Sequence, residues 1–146
     1  MDCGKNYKKL LILLKQYSNM SDMFTKKQRS YIMSRIRSKW TSQEKIVHNY
    51  LKGNKIKHQM HPAIIGSPDI LIKGKNIVVF LHGCFWHKCK KHYIAPKSRK
   101  GYWVNKINNN VKRDKKNVAS LKKQGYTVLT IWEHDIKNKR FLRILV

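Results

Sequence analysis

Acids are scarce in this chain of 146 residues: seven aspartates and glutamates stand against 33 lysines and arginines, a formal net charge of +26 at pH 7. Such a surface spends no acids on solubility, so an acid inside an apolar pattern needs a reason. The imbalance points to a polyanion partner, because a field of this sign concentrates phosphates. Cysteine is scarce too, with only Cys3, Cys84 and Cys89. Two close cysteines among histidines do not suggest a disulfide framework; they suggest a reducing compartment and metal ligation. Long apolar runs are missing. Leu10–Leu14 is the longest strongly apolar run near the N-terminus, too short to span a bilayer and followed by no small-residue cleavage site. The expectation is a cytoplasmic protein with no membrane association. The length fits one domain with a real core, and no internal repeat appears.

What is there concentrates in residues 82–92: His82, Gly83, Cys84, Phe85, Trp86, His87, Lys88, Cys89, Lys90, Lys91, His92. The preceding run Ile77, Val78, Val79, Phe80, Leu81 reads as a buried strand. The chemistry therefore sits where a strand runs out into a loop, a common seat for functional groups on a rigid scaffold.

The rest of the chain arranges itself around this stretch. Residues 1–22 read as a basic, Leu-rich extension of unknown role, with Met23 as an alternative start and 23–146 as the organised domain. Residues 24–40 carry Ile32, Met33, Ile36 and Trp40 at helical spacing, either an arm over DNA or a surface helix. Thr41 with Glu44 forms a capping box opening a helix, with Ile46, Val47, Tyr50 and Leu51 on one face and Gly53 at its end. Glu44 is then either a cap or something more. Ile56, His58 and Met60 alternate as a strand, and His61-Pro62 and Gly66-Ser67-Pro68 punctuate a loop. Asp69 leads into Ile70–Ile72, and Lys73–Asn76 turns the chain into the buried strand. Asp69 at the entry of this hairpin and His82 at its exit are neighbours if it is antiparallel. A long helix starts at Trp103, with Val104, Ile107, Val111, Val118 and Leu121 as one apolar seam and Gly125 as its cap. Asp114 completes that seam, where a carboxylate is costly unless paired or metal-bound. Tyr126–Trp132 alternates as a strand, and a tail with Phe141, Leu142, Ile144 and Leu145 packs on the core.

Three constellations carry chemistry. Cys84, Cys89 and His92 have the spacing of a structural zinc loop; His134 is the preferred fourth ligand, since it ends a strand that can lie beside the Cys84 strand, with His82 and His87 as rivals. Asp69, His82, His87, Glu44 and Asp114 can converge, and carboxylates with a histidine suit Mg²⁺-assisted phosphodiester hydrolysis. Phe85, Trp86 and Trp103, set among positive charges, are either wedges between base steps or core residues.

His82-Gly83-Cys84-Phe85-Trp86-His87, preceded by Pro68-Asp69 and followed by the Trp103 helix with Asp114, resembles the very short patch repair (Vsr-type) mismatch endonucleases over roughly residues 24–135. The resemblance implies a restriction-endonuclease-like fold, Mg²⁺-dependent nicking of double-stranded DNA at T:G mismatches from deaminated 5-methylcytosine, and a structural Zn²⁺. By the same resemblance Asp69 binds Mg²⁺, His87 is the general base, and His82 and Glu44 support catalysis. Asp114 orients the catalytic histidine or the metal's water, and Phe85, Trp86 and Trp103 form the intercalating wedge. Cys84, Cys89, His92 and His134 occupy the zinc positions, with cysteine and histidine exchanged in places. Leu81 stands where some members have threonine: if the residue at this position binds Mg²⁺ through its backbone carbonyl, leucine suffices; if through the threonine hydroxyl, which leucine lacks, the second metal is in doubt. The glutamate, aspartate, histidine, aspartate pattern is shared with some homing endonucleases.

The expected architecture is a single α/β domain, a central mixed sheet of about four strands flanked by helices and braced by zinc. It is expected to act as a monomer on duplex DNA, with mismatch-repair proteins as further partners. Two other readings stand beside it: a homing or restriction-type nuclease with the same site and another specificity, and a zinc-braced DNA-binding module without catalysis. Asp69 and Asp114 argue against the last, since a mere binder gains nothing from acids facing phosphates.

Overall fold

The computed structural model of the chain describes residues 25–35, 37–96 and 99–145; the extension 1–22 and Ile36 lie outside the described residues. The chain divides into two compact units, Met1–Ile36 with Ile94–Asn105, and Arg37–Tyr93 with Lys106–Val146.

The first unit holds helix α1 (Lys26–Ser34). Its start is a capping box: the Gln28 amide donates to Thr25 Oγ1 at 3.2 Å and the Thr25 amide donates to Gln28 Oε1 at 2.9 Å. Arg35 stacks its guanidinium over the Tyr31 ring and donates to its hydroxyl at 2.8 Å. The helix expected through residue 40 stops here. Trp40 instead lies in a loop of the second unit with φ of 55°, because its amide donates to the Glu44 carboxylate rather than to a helical carbonyl.

The second unit is built on a four-stranded mixed sheet. Its strands β1 (His58–Met60), β2 (Ile70–Ile72), β3 (Ile77–His82) and β4 (Thr127–Trp132) lie in the order β1-β2-β3-β4. The β1–β2 and β2–β3 pairs are antiparallel, and β3–β4 is parallel, pairing Ile77 with Thr127 through His82 with Trp132. The unbroken apolar run of β3 is explained by burial on both faces. Ile70, Ile72, Val79 and Ile131 point to one side, against Val47 and Leu51 of α2 (Ser42–Gly53), Ile136 of the short α4 (Glu133–Lys137), and Phe141 and Leu145 of the tail. Val78 and Phe80 point to the other side, against Leu121 and Val118 of α3 (Lys100–Lys123).

Some local expectations differ in detail. α3 opens at Lys100 rather than Trp103, and Val104 is exposed, so the buried part of its seam begins at Ile107. Ile46 also faces solvent, leaving Val47 and Leu51 as the buried face of α2. Gly53 stays helical; the left-handed residue that ends α2 is Lys55, whose amide reaches Lys52 O while the Ile56 amide reaches Leu51 O. Gly125 does take the left-handed cap at the end of α3, with φ of 84°.

The loop that delivers Asp69 is braced from α3. Gly66 has φ of 77°, and a Cβ there would meet Asn117 Cβ at 2.9 Å. Gly66→Ala therefore adds backbone strain to a contact with an atom held close to the helix backbone. The expected loss of stability exceeds about 1 kcal/mol, read as a lowered Tm; an unchanged Tm would mean that Asn117 and the turn yield freely.

Candidate active site

Asp69 sits at the junction of three strand ends. Its amide donates to Val79 O at 3.0 Å, its carbonyl accepts from the His61 amide at 2.8 Å, and its Oδ2 accepts from the Leu81 amide at 2.6 Å. The antiparallel hairpin thus brings the acid against the end of β3, beside the histidine-rich loop. Burial pushes the carboxyl up to about 6; Glu44 pushes the same way, while the Leu81 amide, His61 and His87 pull it down. Among the described residues Asp69 pairs with no lysine or arginine, in a chain that has 33 of them.

His82 closes β3 and points to the α3 side of the sheet. Its ring stacks on His87 with centroids 3.9 Å apart and planes 6° apart. The tight turn Gly83–Lys88, where His87 N reaches Gly83 O, carries His87 back over His82. His87 Nδ1 lies 2.5 Å from Asp114 Oδ2. An ionised carboxylate only accepts, so the proton of this bond is on Nδ1 and Nε2 is left to act. Burial would raise the Asp114 carboxyl, but the His87 hydrogen bond and charge outweigh it and hold the acid below its usual range. Burial first, and the His87 charge second, push His82 down to about 4, so it is neutral near pH 7. An open groove of about 560 Å³ lies over this trio, walled by Val111, Val118, Thr130 and Trp132. One ligand atom from each of His82, His87 and Asp114 lies within 4.8 Å of the others, so the trio itself has the spacing to hold a cation.

Glu44 is buried at the start of α2. Thr41 caps the Glu44 amide, and the Thr41 hydroxyl donates to Glu44 Oε1 at 2.9 Å. The other carboxylate oxygen accepts from the Trp40 amide and from His61 Nε2, each at 2.6 Å. The helix-cap reading of Glu44 and the site reading are thus both realised in one side chain. In the sequence His61 marks only loop punctuation before Pro62. The signal that finds it is register: Met60 pairs with Ile70, so the next residue lies opposite Asp69.

The parallel β3–β4 pairing carries Cys84 and His134 out side by side, two residues beyond the His82–Trp132 pair. Cys84 Sγ is 3.3 Å and Cys89 Sγ 3.7 Å from His134 Nδ1, and Cys89 Sγ is 4.0 Å from His92 Nδ1. All four ligand atoms lie within 4.8 Å of one another. Tetrahedral bonds of 2.0–2.3 Å to nitrogen and sulfur place ligand atoms about 3.3–3.8 Å apart, so the spacing suits a metal. Both thiols are free and buried. Asp135 lies 3.5 Å from His134 Nε2, the outer partner that turns Nδ1 toward the sulfurs. His82 and His87, the rivals for the fourth position, belong to the other cluster.

The aromatics separate. Phe85 meets Trp86 edge to face at 5.1 Å and stacks on Tyr93 at 6.3 Å, and both Phe85 and Trp86 are half-buried. Asn110 of α3 donates to the Trp86 carbonyl at 3.1 Å. Neither joins a core cluster of the described residues. Trp103 belongs to the first unit, edge to face with Tyr102.

Comparison with known proteins adds to this geometry. The family described as DNA mismatch endonuclease Vsr matches residues 21–93. A type II nicking enzyme, V.NmeAIP of Neisseria meningitidis serogroup A, is 40% identical over 127 residues, covering 85% of this chain and 90% of that protein. Another, V.XorIIP of Xanthomonas oryzae pv. oryzae, is 35% identical over 122 residues, 82% of this chain and 89% of its own. The DNA mismatch endonuclease Vsr of Escherichia coli K12 is 32% identical over 125 residues, 84% of this chain and 80% of its own. Identity at this level over most of both chains, together with a family match whose bounds include the Asp69 hairpin and the histidine-rich loop, shows that the chain belongs to the Vsr family and is a DNA endonuclease, a hydrolase of phosphodiester bonds.

Proposed function

We propose that the protein nicks double-stranded DNA at T:G mismatches in a Mg²⁺-dependent reaction, as a repair enzyme for deaminated 5-methylcytosine. The observation that carries the catalytic part is Asp69, a half-buried acid with no lysine or arginine partner among the described residues, set within electrostatic reach of His87, which is itself bonded to Asp114. A half-buried carboxylate without a basic partner in so basic a chain fits a cation, and Asp69 with the Leu81 carbonyl would hold Mg²⁺. Bound there, Mg²⁺ would neutralise charge developing on the phosphoryl oxygens. His87, oriented through Nδ1 by Asp114, takes a proton from the attacking water at Nε2. His82, neutral and stacked on His87, keeps that ring in place. Cys84, Cys89, His92 and His134 fit Zn²⁺ by donor type and spacing, and would brace the loop that carries His87. The remainder of the reading is a restriction-endonuclease-like domain over residues 23–146, acting as a cytoplasmic monomer alongside mismatch-repair proteins; no helix of the described residues is long and apolar enough to cross a membrane.

The mismatch part rests on Phe85 and Trp86, aromatics that leave β3 together and stay outside the core clusters. A T:G pair opens more cheaply than a matched pair, so a wedge selects it through the unstacking cost, about a few kcal/mol per step. The basic surface supplies affinity that is blind to sequence and falls with salt. Nicking of T:G and matched duplexes at one salt concentration, with Mg²⁺ or EDTA, tests the proposal. Wild type should cut the T:G duplex preferentially and only with Mg²⁺. Trp86→Ala should keep duplex binding and lose most of the preference; full discrimination by that variant would place the wedge elsewhere. The type II nicking names of the 40% and 35% identical relatives favour a second reading, the same chemistry at another site. Equal cutting of the two duplexes by wild type would select it.

A further inference from the structure

We propose that His61, held by Glu44, is a second histidine–carboxylate pair of this active site and donates the proton required by the departing sugar oxygen. The inference rests on the endonuclease reading above and adds a residue to it.

The strand order places His61 and His87 on opposite flanks of Asp69. On the β1 side, the His61 amide donates to Asp69 O. On the β3 side, the Leu81 amide donates to Asp69 Oδ2, and β3 continues to His82 and His87. Both histidines are close enough to Asp69 to act on its charge. In displacement at phosphorus the entering and leaving oxygens lie roughly in line, on opposite sides. A site centred on Asp69 therefore needs proton chemistry on two flanks, and His87–Asp114 supplies only one.

The Glu44–His61 pair is built for more than capping. Thr41 already caps the Glu44 amide, and the Glu44 carboxylate accepts three hydrogen bonds, from the Thr41 hydroxyl, the Trp40 amide and His61 Nε2. With a side chain only 4% exposed, Glu44 reaches the site through the imidazole rather than directly. A chain with 33 lysines and arginines has paired this buried acid with a histidine, the side chain that exchanges protons near neutrality. Two of the eight non-glycine residues with left-handed backbone among the described residues lie at this contact, Trp40 with φ of 55° and His61 with φ of 48°. Such conformations are uncommon and persist where the surroundings enforce them. The Trp40 ring meets His61 edge to face at 5.5 Å and fixes its orientation.

With Nε2 on Glu44, His61 acts through Nδ1. The attacking water oxygen forms its bond to phosphorus as the bond from phosphorus to the sugar oxygen breaks. The water proton passes to His87 Nε2, and the Nδ1 proton of the His61 imidazolium passes to the departing oxygen, which leaves as a hydroxyl. Glu44 supplies the counter-charge before transfer, and both rings exchange protons with solvent afterwards.

The test uses two T:G duplexes that differ by one atom, with oxygen or sulfur bridging at the phosphate that wild type cuts. A thiolate leaves without needing a proton. His61→Ala should slow cutting of the oxygen duplex by on the order of 10²–10⁴-fold and the sulfur duplex far less, so its sulfur-to-oxygen rate ratio rises well above that of wild type. His87→Ala should slow both duplexes alike. The ratio is taken within one preparation, so a smaller folded fraction cancels. His61→Gln, which keeps an amide donor for Glu44 but no transferable proton, should show the same rise if the alanine variant fails to fold. A wild-type ratio in either His61 variant overturns the assignment. Equal cutting of matched and T:G duplexes by wild type would remove only the mismatch specificity and leave the His61 comparison intact.

Discussion

Asp69→Asn is expected to lose nicking, to keep duplex binding, and to melt higher than wild type in EDTA above pH 6. The loss of nicking follows from the cation site. Charge neutralisation by a bound divalent ion contributes several kcal/mol in the transition state, and about 1.4 kcal/mol is tenfold in rate, so the fall should be on the order of 10³-fold or more. Binding survives because the change removes a negative group from a phosphate site, while the 33 basic residues that hold the duplex are untouched. The gain in stability follows from the carboxyl that burial raises to about 6. A raised acid favours the protonated folded state, so its stabilising effect is present below the unfolded value of 3.8 and is lost as pH rises through 6. Above that pH the wild type carries an ionised, half-buried carboxylate with no basic partner; asparagine removes that cost and still accepts the Leu81 amide. The shift corresponds to a gain on the order of 1–3 kcal/mol, vanishing as pH falls toward 4. Single-turnover nicking, gel-shift affinity at fixed salt and melting curves at pH 5 and pH 8 read the three effects. A variant that nicks normally, or melts lower than wild type at pH 8 in EDTA, would sink the placement of the cation at Asp69.

How far the sequence reached depends on whether each feature is local. The apolar run of β3, the Lys73–Asn76 turn and the Tyr126–Trp132 alternation announce strands through period and turn chemistry, and the mixed four-stranded sheet follows from them. Register then does the work of bringing distant residues together. Cys84 and His134 meet because two parallel strands end level, and Asp69 meets Leu81 because a four-residue turn fixes the hairpin. Features set by tertiary contacts were not legible. Trp40 continues the spacing of a helix but is pulled into left-handed backbone by Glu44, a partner four residues on. Ile46 and Val104 fit apolar faces by period, yet face solvent. Glu44 could not be decided from its capping box, since the same side chain also reaches His61. His61 was hidden by its own neighbour: Pro62 marks a loop, and only the β1–β2 register reveals that the residue before it lies beside Asp69. Asp114 stands out in the sequence as an acid on an apolar seam that needs a partner, and the structure gives it two, His87 and the neighbouring Arg113 at 3.6 Å.

The other large effect is expected at the cysteine–histidine cluster. The purified protein should hold one Zn²⁺ per chain, and Cys84→Ser should lose both the metal and cooperative folding of the second unit. Burial alone pushes the Cys84 thiol up, to about 11 with its neighbours' effects included, so the free thiol stays protonated near pH 7 unless a cation sits beside it. Zinc would supply that cation, and its apparent binding energy in small zinc domains, about 10–16 kcal/mol, is as large as the whole net stability of a typical domain, about 5–15 kcal/mol. The four ligands are not equivalent. His134 stands between the two sulfurs, with Asp135 behind it, whereas His92 is exposed. His134→Ala should therefore weaken the metal more than His92→Ala, where water can take the vacated position. His87 lies in the loop between Cys84 and Cys89, so releasing the zinc also frees His87 from Asp114 and stops nicking by a route that added Mg²⁺ does not restore. Metal analysis, thermal melts with and without a strong chelator, and nicking after re-addition of Zn²⁺ or Mg²⁺ separate these effects. A well-folded, zinc-free preparation that nicks DNA would rule the brace out.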